Sequence, residues 1–190
     1  MERRTYIQPV VHTVEPVRFH PHLMLIMGGS GAGKSTLAEY INHLYTLQIH
    51  NQIALDVDEF RRPELAHNAA AALREAHAHH IQHALAELKQ GRSVAMIGVY
   101  GRPEYRDDKR LLMRQEEYPF LTVLLEVDLE HRIRDVLRRP VGTSDVVSRE
   151  QVAAQQLSYE NADLIIPGRQ SLHKTRAMIL ELQKERGLVL

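Results

Sequence analysis

The stretch GGSGAGKST, Gly28 to Thr36, follows directly on the apolar run LMLIM at 23–27, and this pairing narrows the possible fold more than any other segment. Gly28, Gly33, Lys34 and Ser35 fill every fixed position of the pattern Gly-x-x-x-x-Gly-Lys-Ser/Thr. Glycines let a backbone bend with its N–H groups turned inward around an anion. Downstream, Leu37, Tyr40, Ile41 and Leu44 recur at helical spacing, so a helix opening near Lys34 adds the positive end of its dipole. The run Gly28, Gly29, Ser30, Gly31, Ala32, Gly33, Lys34, Ser35, Thr36 therefore reads as a cradle for the phosphates of ATP. Lys34 is expected to reach the β- and γ-phosphates, and the Ser35 hydroxyl to hold Mg²⁺.

The rest of the chain supplies a frame for such a loop. Strands are expected at 23–27, 53–57, 93–99, 120–127 and 163–167. Helices are expected at 34–46, about 64–89, about 103–116, 129–138, 149–160 and 172–186. Ser148 with Gln151 forms a capping box for the fifth helix, and Gly91 and Gly187 stand where the second and last should stop. Alternation of apolar strands with helices predicts an α/β, three-layer P-loop NTPase fold: a central, mostly parallel five-stranded sheet, flanking helices and a short helical lid. Residues 1–21, with Pro9, Pro16 and Pro21, read as an N-terminal arm, and 22–190 as one domain.

Composition narrows the function classes. The 190 residues suit one domain, and 24 basic residues balance 24 acidic ones. That balance does not favour long nucleic acid as a partner and gives no support to a membrane surface. No run approaches the roughly 18 apolar residues of a bilayer span, and the first residues lack a signal-peptide core. Zero cysteines exclude disulfides and thiolate metal sites. A cytoplasmic enzyme fits this composition, and the sequence leaves its oligomeric state open.

The fate of the phosphate is read from the remaining segments. The Asn-Lys-x-Asp and Asp-x-x-Gly motifs of GTPases are missing. The third strand ends AMIG at Gly98 without the acid that would activate water, although Glu126 in TVLLEVD is a Walker-B-like candidate. The second strand ends LDVDEFRRPE, and strand alternation puts Asp56 and Asp58 on one side, close to the phosphate loop. A carboxylate there accepts a proton from an attacking hydroxyl or holds Mg²⁺ through water. Arg61 is placed to grip the acceptor or to balance the carboxylate. In EHRIRDVLRRPVGTSD, Arg134 and Arg138 are neighbours on one helix face beside a Pro/Gly loop, which suits a lid that neutralises the migrating phosphoryl group. Arg132 and Arg139 are weaker candidates. His77, His79, His80 and His83 have helical metal-site spacing, but the segment reads as a polar, solvated face.

GGSGAGKST, DVDEFR, RPEYR and RDVLRRP together resemble P-loop kinases of the group containing polynucleotide 5′-hydroxyl kinases and zeta-toxin-type sugar-nucleotide kinases, over residues 22–166. The resemblance implies that Asp58 activates the acceptor hydroxyl, Arg61 helps bind substrate, and Arg134 and Arg138 stabilise the transferred phosphate. Such relatives commonly carry an acid near the end of the third strand, whereas this chain has GVYGRPE, so Tyr100 and Arg102 are expected to meet a different acceptor. The leading expectation is an ATP- and Mg²⁺-dependent kinase acting on a hydroxyl of a small-molecule or nucleotide acceptor. A non-catalytic ATP-binding regulatory module and a simple NTP hydrolase remain as alternatives.

Overall fold

The computed structural model describes residues 16–60, 69–100, 103–138 and 161–190. Five strands, β1 (Leu23–Met27), β2 (Gln52–Asp56), β3 (Ser93–Gly98), β4 (Phe120–Glu126) and β5 (Leu164–Pro167), form one sheet in the order β2-β3-β1-β4-β5. Every neighbouring pair is parallel, so the expected sheet is parallel throughout. Between the strands lie α1 (Lys34–Thr46), α2 (Ala69–Lys89), α3 (Pro103–Gln115) and α4 (Leu129–Leu137), and α5 (Leu172–Glu185) follows β5. The helix expected at 149–160, its Ser148–Gln151 capping box and the lid loop fall outside the described residues.

β1 is buried along its whole length, and its alternate side chains feed two cores. Met24 and Ile26 join Leu37, Ile41, Val123, Ile179 and Leu182 on the side of α1 and α5. Leu23, Leu25 and Met27 join Leu55, Leu88, Met96 and Met113 on the side of α2 and α3. The apolar runs in the sequence follow from this two-sided burial. Helix ends also obey their local signals. Asp128 accepts from the His131 N–H at 2.9 Å to open α4, and Ser171 accepts from the Lys174 N–H to open α5. Gly91 and Gly187 adopt left-handed φ values of 81° and 67°, and the residue after each closes a bond onto the preceding helix.

The edge strand β2 is covered by side chains. Asn42 of α1 bonds both the N–H and the C=O of Ala54, at 2.7 and 2.9 Å. Within residues 16–21, Val17 bridges to His50 and the buried Phe19 bridges to Val189. Beneath them a polar row runs across the N-terminal edge of the sheet. His22 meets Ser93 at 3.1 Å and Gln183 at 2.9 Å, and Gln183 in turn accepts from the buried Arg176.

The expected strand reaching residue 57 stops at Asp56. Val57–Phe60 instead form a 3₁₀ turn, because an Asp56 carboxylate oxygen accepts the Asp58 N–H at 3.2 Å and folds the backbone out of the strand. The solvated histidine face also needs correction. His79 and His83 are exposed and sit near Glu75 and Glu87, but His80 is fully buried against the sheet.

Burial lowers the pKa of His22 and His50 to about 4 and that of His80 to about 3. In the unfolded chain these imidazoles protonate near 6.5, so the native state binds fewer protons than the unfolded state below that pH. Their contribution to stability is complete above about pH 6.5 and is lost as pH falls toward 4. Chemical denaturation between pH 7.5 and 4.5 should show stability falling with a slope approaching roughly 1.4 kcal/mol per pH unit for each of the three. His80→Gln should flatten the curve; a profile identical to wild type would contradict the buried, neutral His80.

Candidate active site

Parallel strands deliver their following loops to one edge of the sheet, and that edge carries Gly28–Thr36 after β1, Asp56 ending β2, Gly98 ending β3 with Tyr100 just beyond, and Glu126 ending β4. The phosphate loop is shaped by its glycines. Gly31 and Gly33 take left-handed φ values of 84° and 85°, and Gly33 leads directly into α1. A Cβ on Gly28 would lie 2.8 Å from the Leu125 carbonyl, so β4 presses directly on the loop. The Lys34 ammonium donates to the Gly29 carbonyl at 3.0 Å, which places it over the loop. The first turn of α1 carries no acid to offset its positive dipole end.

Ser35 and Asp56 converge. The Ser35 hydroxyl donates to Asp56 Oδ2 at 2.8 Å, tying the start of α1 to the end of β2. Asp58 follows in the 3₁₀ turn with its side chain exposed at the same edge. Asp56 and Asp58 are thus brought together by a turn and not by strand alternation. Hydroxyl and carboxylate oxygens are the donor types that Mg²⁺ prefers. Among the described residues, no group of three or more His, Asp or Glu could hold a metal alone. The donors fit an ion that brings its own phosphate and water ligands.

At the end of β3, Tyr100 leaves room for nothing larger than glycine at position 98. A Cβ at Gly98 would lie 2.7 Å from the Tyr100 ring, which folds back over the strand end and occupies the space a side chain would need. Tyr100 is buried and holds a left-handed φ of 41°, uncommon for a residue with a side chain. Its hydroxyl meets His80 Nδ1 at 3.1 Å, while His80 Nε2 meets the Leu55 carbonyl at 2.9 Å. A carbonyl only accepts, so Nε2 carries the proton, Nδ1 accepts, and the Tyr100 hydroxyl donates. Burial, then the charges of Asp56 and Asp58, push the Tyr100 hydroxyl well above its usual pKa, which keeps it a donor. Arg106 of α3 donates to the Tyr100 carbonyl at 3.1 Å, and the Lys109 ammonium lies 5.0 Å from the centre of its ring.

In α4, Arg134 and Arg138 are exposed, and Arg138 caps the helix end. Arg132 is the arginine against the phosphate loop: a Cβ on Gly29 would collide with its Nη1, and one on Gly31 with its backbone carbonyl. Its Nε donates to the Val127 carbonyl at 3.1 Å, and its Nη1 is buried with no hydrogen-bond partner. Arg132 was the weaker candidate by spacing. Its position follows from β4 lying beside β1, which puts the start of α4 next to the loop. Glu126 is an exposed strand-end carboxylate. Arg61 and Arg102 lie outside the described residues.

Comparison with known proteins agrees with the fold. The profile of the AAA domain family matches residues 23–162, and the chain belongs to that family. Among curated proteins, none matches the chain. Solved structures share its fold. The APS kinase CysC of Mycobacterium tuberculosis, in complex with AMPPNP and APS, aligns with TM-score 0.66 and 20% identity over 87% of this chain and 98% of that one. A gluconokinase from Sinorhizobium meliloti 1021 aligns with TM-score 0.63 and 17% identity over 88% of this chain and 94% of that one. A chain of the Pnkp1/Rnl/Hen1 RNA repair complex aligns with TM-score 0.58 and 17% identity over 73% of this chain and 43% of that one.

The contrast between two loop glycines is testable by substitution. Gly33→Ala meets open space, so it should cost only the left-handed conformation, about 1–2 kcal/mol. Gly31→Ala meets the Arg132 backbone as well and should cost roughly 3 kcal/mol or more. Thermal melts of the two variants give the order; equal losses would show that Arg132 does not pack on the loop as described.

Proposed function

We propose that this AAA-domain protein is a kinase that moves the γ-phosphoryl group of ATP to a hydroxyl of a small-molecule or nucleotide acceptor. The observation that carries the reading is the Ser35–Asp56 hydrogen bond with Asp58 in the adjoining turn. It sets a metal-type oxygen pair against the phosphate loop, with a second carboxylate beside it. The shared fold with three kinase-containing or repair structures supports the class without naming the acceptor.

In this reading the loop amides and Lys34 hold the β- and γ-phosphates. Ser35 and Asp56 would hold Mg²⁺, which when bound neutralises phosphate charge. Asp58 orients the acceptor hydroxyl and takes its proton as the oxygen bonds to the γ-phosphorus. The bond from that phosphorus to the β–γ bridging oxygen breaks, and ADP leaves. Arg134 and Arg138 close from the lid side to stabilise charge on the moving group, with Arg61, Tyr100 and Arg102 on the acceptor side. The protein's work is placement and charge stabilisation, with no covalent intermediate.

An ATP-binding module that transfers nothing is the second reading. What favours it is Gly98, where Tyr100 fills the place of an acid. The two readings diverge in one variant. Under the kinase reading, Asp58→Asn keeps ATP affinity and lowers acceptor-dependent ADP release by roughly 10²–10⁴-fold. Steady-state assays beside ATP titrations measure both. Unchanged transfer by Asp58→Asn would remove it from the mechanism. ATP binding without ADP release under any acceptor would favour the module. Turnover independent of acceptor would favour a hydrolase.

A further inference from the structure

Resting on the kinase reading, we propose that the acceptor carries an anionic group of its own, a phosphate, sulfate or carboxylate, which is received by Lys109 and Arg106 around Tyr100.

An aromatic wall runs on from the 3₁₀ turn that holds Asp58. Phe60, at the end of the 3₁₀ turn, stacks on His80 of α2 with ring centres 5.1 Å apart. His80 bonds Tyr100, and Tyr100 lies 5.5 Å from His77, which stacks on Tyr105 of α3 at 4.9 Å. This wall joins the end of β2, α2, the end of β3 and α3. At the end of β3 stand Gly98 and the aromatic ring of Tyr100, so this part of the wall carries no negative charge. His80 is held neutral by burial.

Positive charge remains behind the ring. Lys109 is only 6% exposed, yet its ammonium faces two neutral groups: the Tyr105 carbonyl at 3.2 Å and the face of Tyr100. Arg106, 7% exposed, directs Nη1 to the Tyr100 carbonyl. A buried ammonium is costly unless an opposite charge answers it. Burial lowers Lys109 to about 8, which leaves it mainly cationic at neutral pH. Of the neighbouring acids on α3, Asp107 pairs with Arg110 at 3.2 Å, and the charge of the exposed Asp108 answers that of Lys109 only in part, since burial still lowers the ammonium.

Asp56 is tied to Ser35 at the start of α1, with Asp58 in the adjoining turn, and the charges of both act on Tyr100. The acceptor site is therefore polarised, with carboxylates toward the phosphate loop and cations toward α3. A molecule with a hydroxyl at one end and an anion at the other fits in one orientation, with the hydroxyl at Asp58. A neutral polyol gains no such orientation.

The test fills the phosphate loop first, with AMPPNP and Mg²⁺, so that it cannot bind the probes. Calorimetry then compares glycerol 3-phosphate with glycerol, AMP with adenosine, and gluconate with glucose; the pairs separate phosphate from carboxylate. In at least one pair the anionic member should bind about tenfold or more tightly than its neutral twin. Lys109→Met should shrink that gap to within about threefold while AMPPNP affinity stays the same. Arg106→Gln carries the same readout should Lys109→Met melt below wild type. Equal binding within every pair, no probe binding below about 10 mM, or a gap that survives both substitutions overturns the proposal. Anion binding without acceptor-dependent ADP release would refute the kinase reading alone. ADP release with neutral acceptors only would refute the anionic acceptor alone.

Discussion

β1 is enclosed on both faces by helices and on both edges by β3 and β4, and the rest of the site depends on that enclosure. With β1 fixed in the centre, the loop after it is pressed between the Leu125 carbonyl of β4 and the Arg132 backbone of α4. Glycine at 28 and 31 is then a steric requirement of the protein's own backbone as well as a means of approaching phosphate. The Ser35–Asp56 bond extends the constraint to β2, and the Tyr100–His80–Leu55 chain extends it across β3. Three strand ends are thereby locked to one another before any ligand arrives, and catalysis by placement requires that rigidity.

The polar groups divide between the two ends of the sheet. At the N-terminal edge, His22, Ser93, Gln183 and Arg176 satisfy one another under Phe19, with burial lowering Arg176 to about 10. That row holds the N-terminal residues, α5 and the sheet together, far along the strands from the phosphate loop. At the C-terminal edge, Ser35 donates to Asp56, while Arg106 and Lys109 of α3 meet Tyr100. The same physical rule, that buried polar groups need partners, serves cohesion at one end and, in the proposed reading, acceptor placement at the other.

Much of the fold could be read from the sequence because it is written in local terms. LMLIM begins and ends where β1 does, and α1 spans the residues its spacing predicts. Gly91 and Gly187 stop their helices through left-handed geometry that needs no tertiary knowledge. The phosphate loop was equally plain. Other features depend on which strands are neighbours. Arg132 reaches the loop only because β4 pairs with β1, and His80 turns inward only because α2 covers β2 and β3. The packing of the Tyr100 ring over Gly98 requires a backbone turn at φ 41° that no periodicity encodes. Asp58 reached the site by a route other than alternation, since the Asp56 side chain ended the strand one residue early.

The most direct measurement follows the label of ATP carrying ³²P at the γ position, with Mg²⁺, in pools of hydroxyl-bearing anions such as sugar phosphates, aldonates and nucleotides. The account predicts label in a phosphate ester of one acceptor class and little in inorganic phosphate. Label appearing only as inorganic phosphate, at one rate whatever acceptor is present, would contradict it.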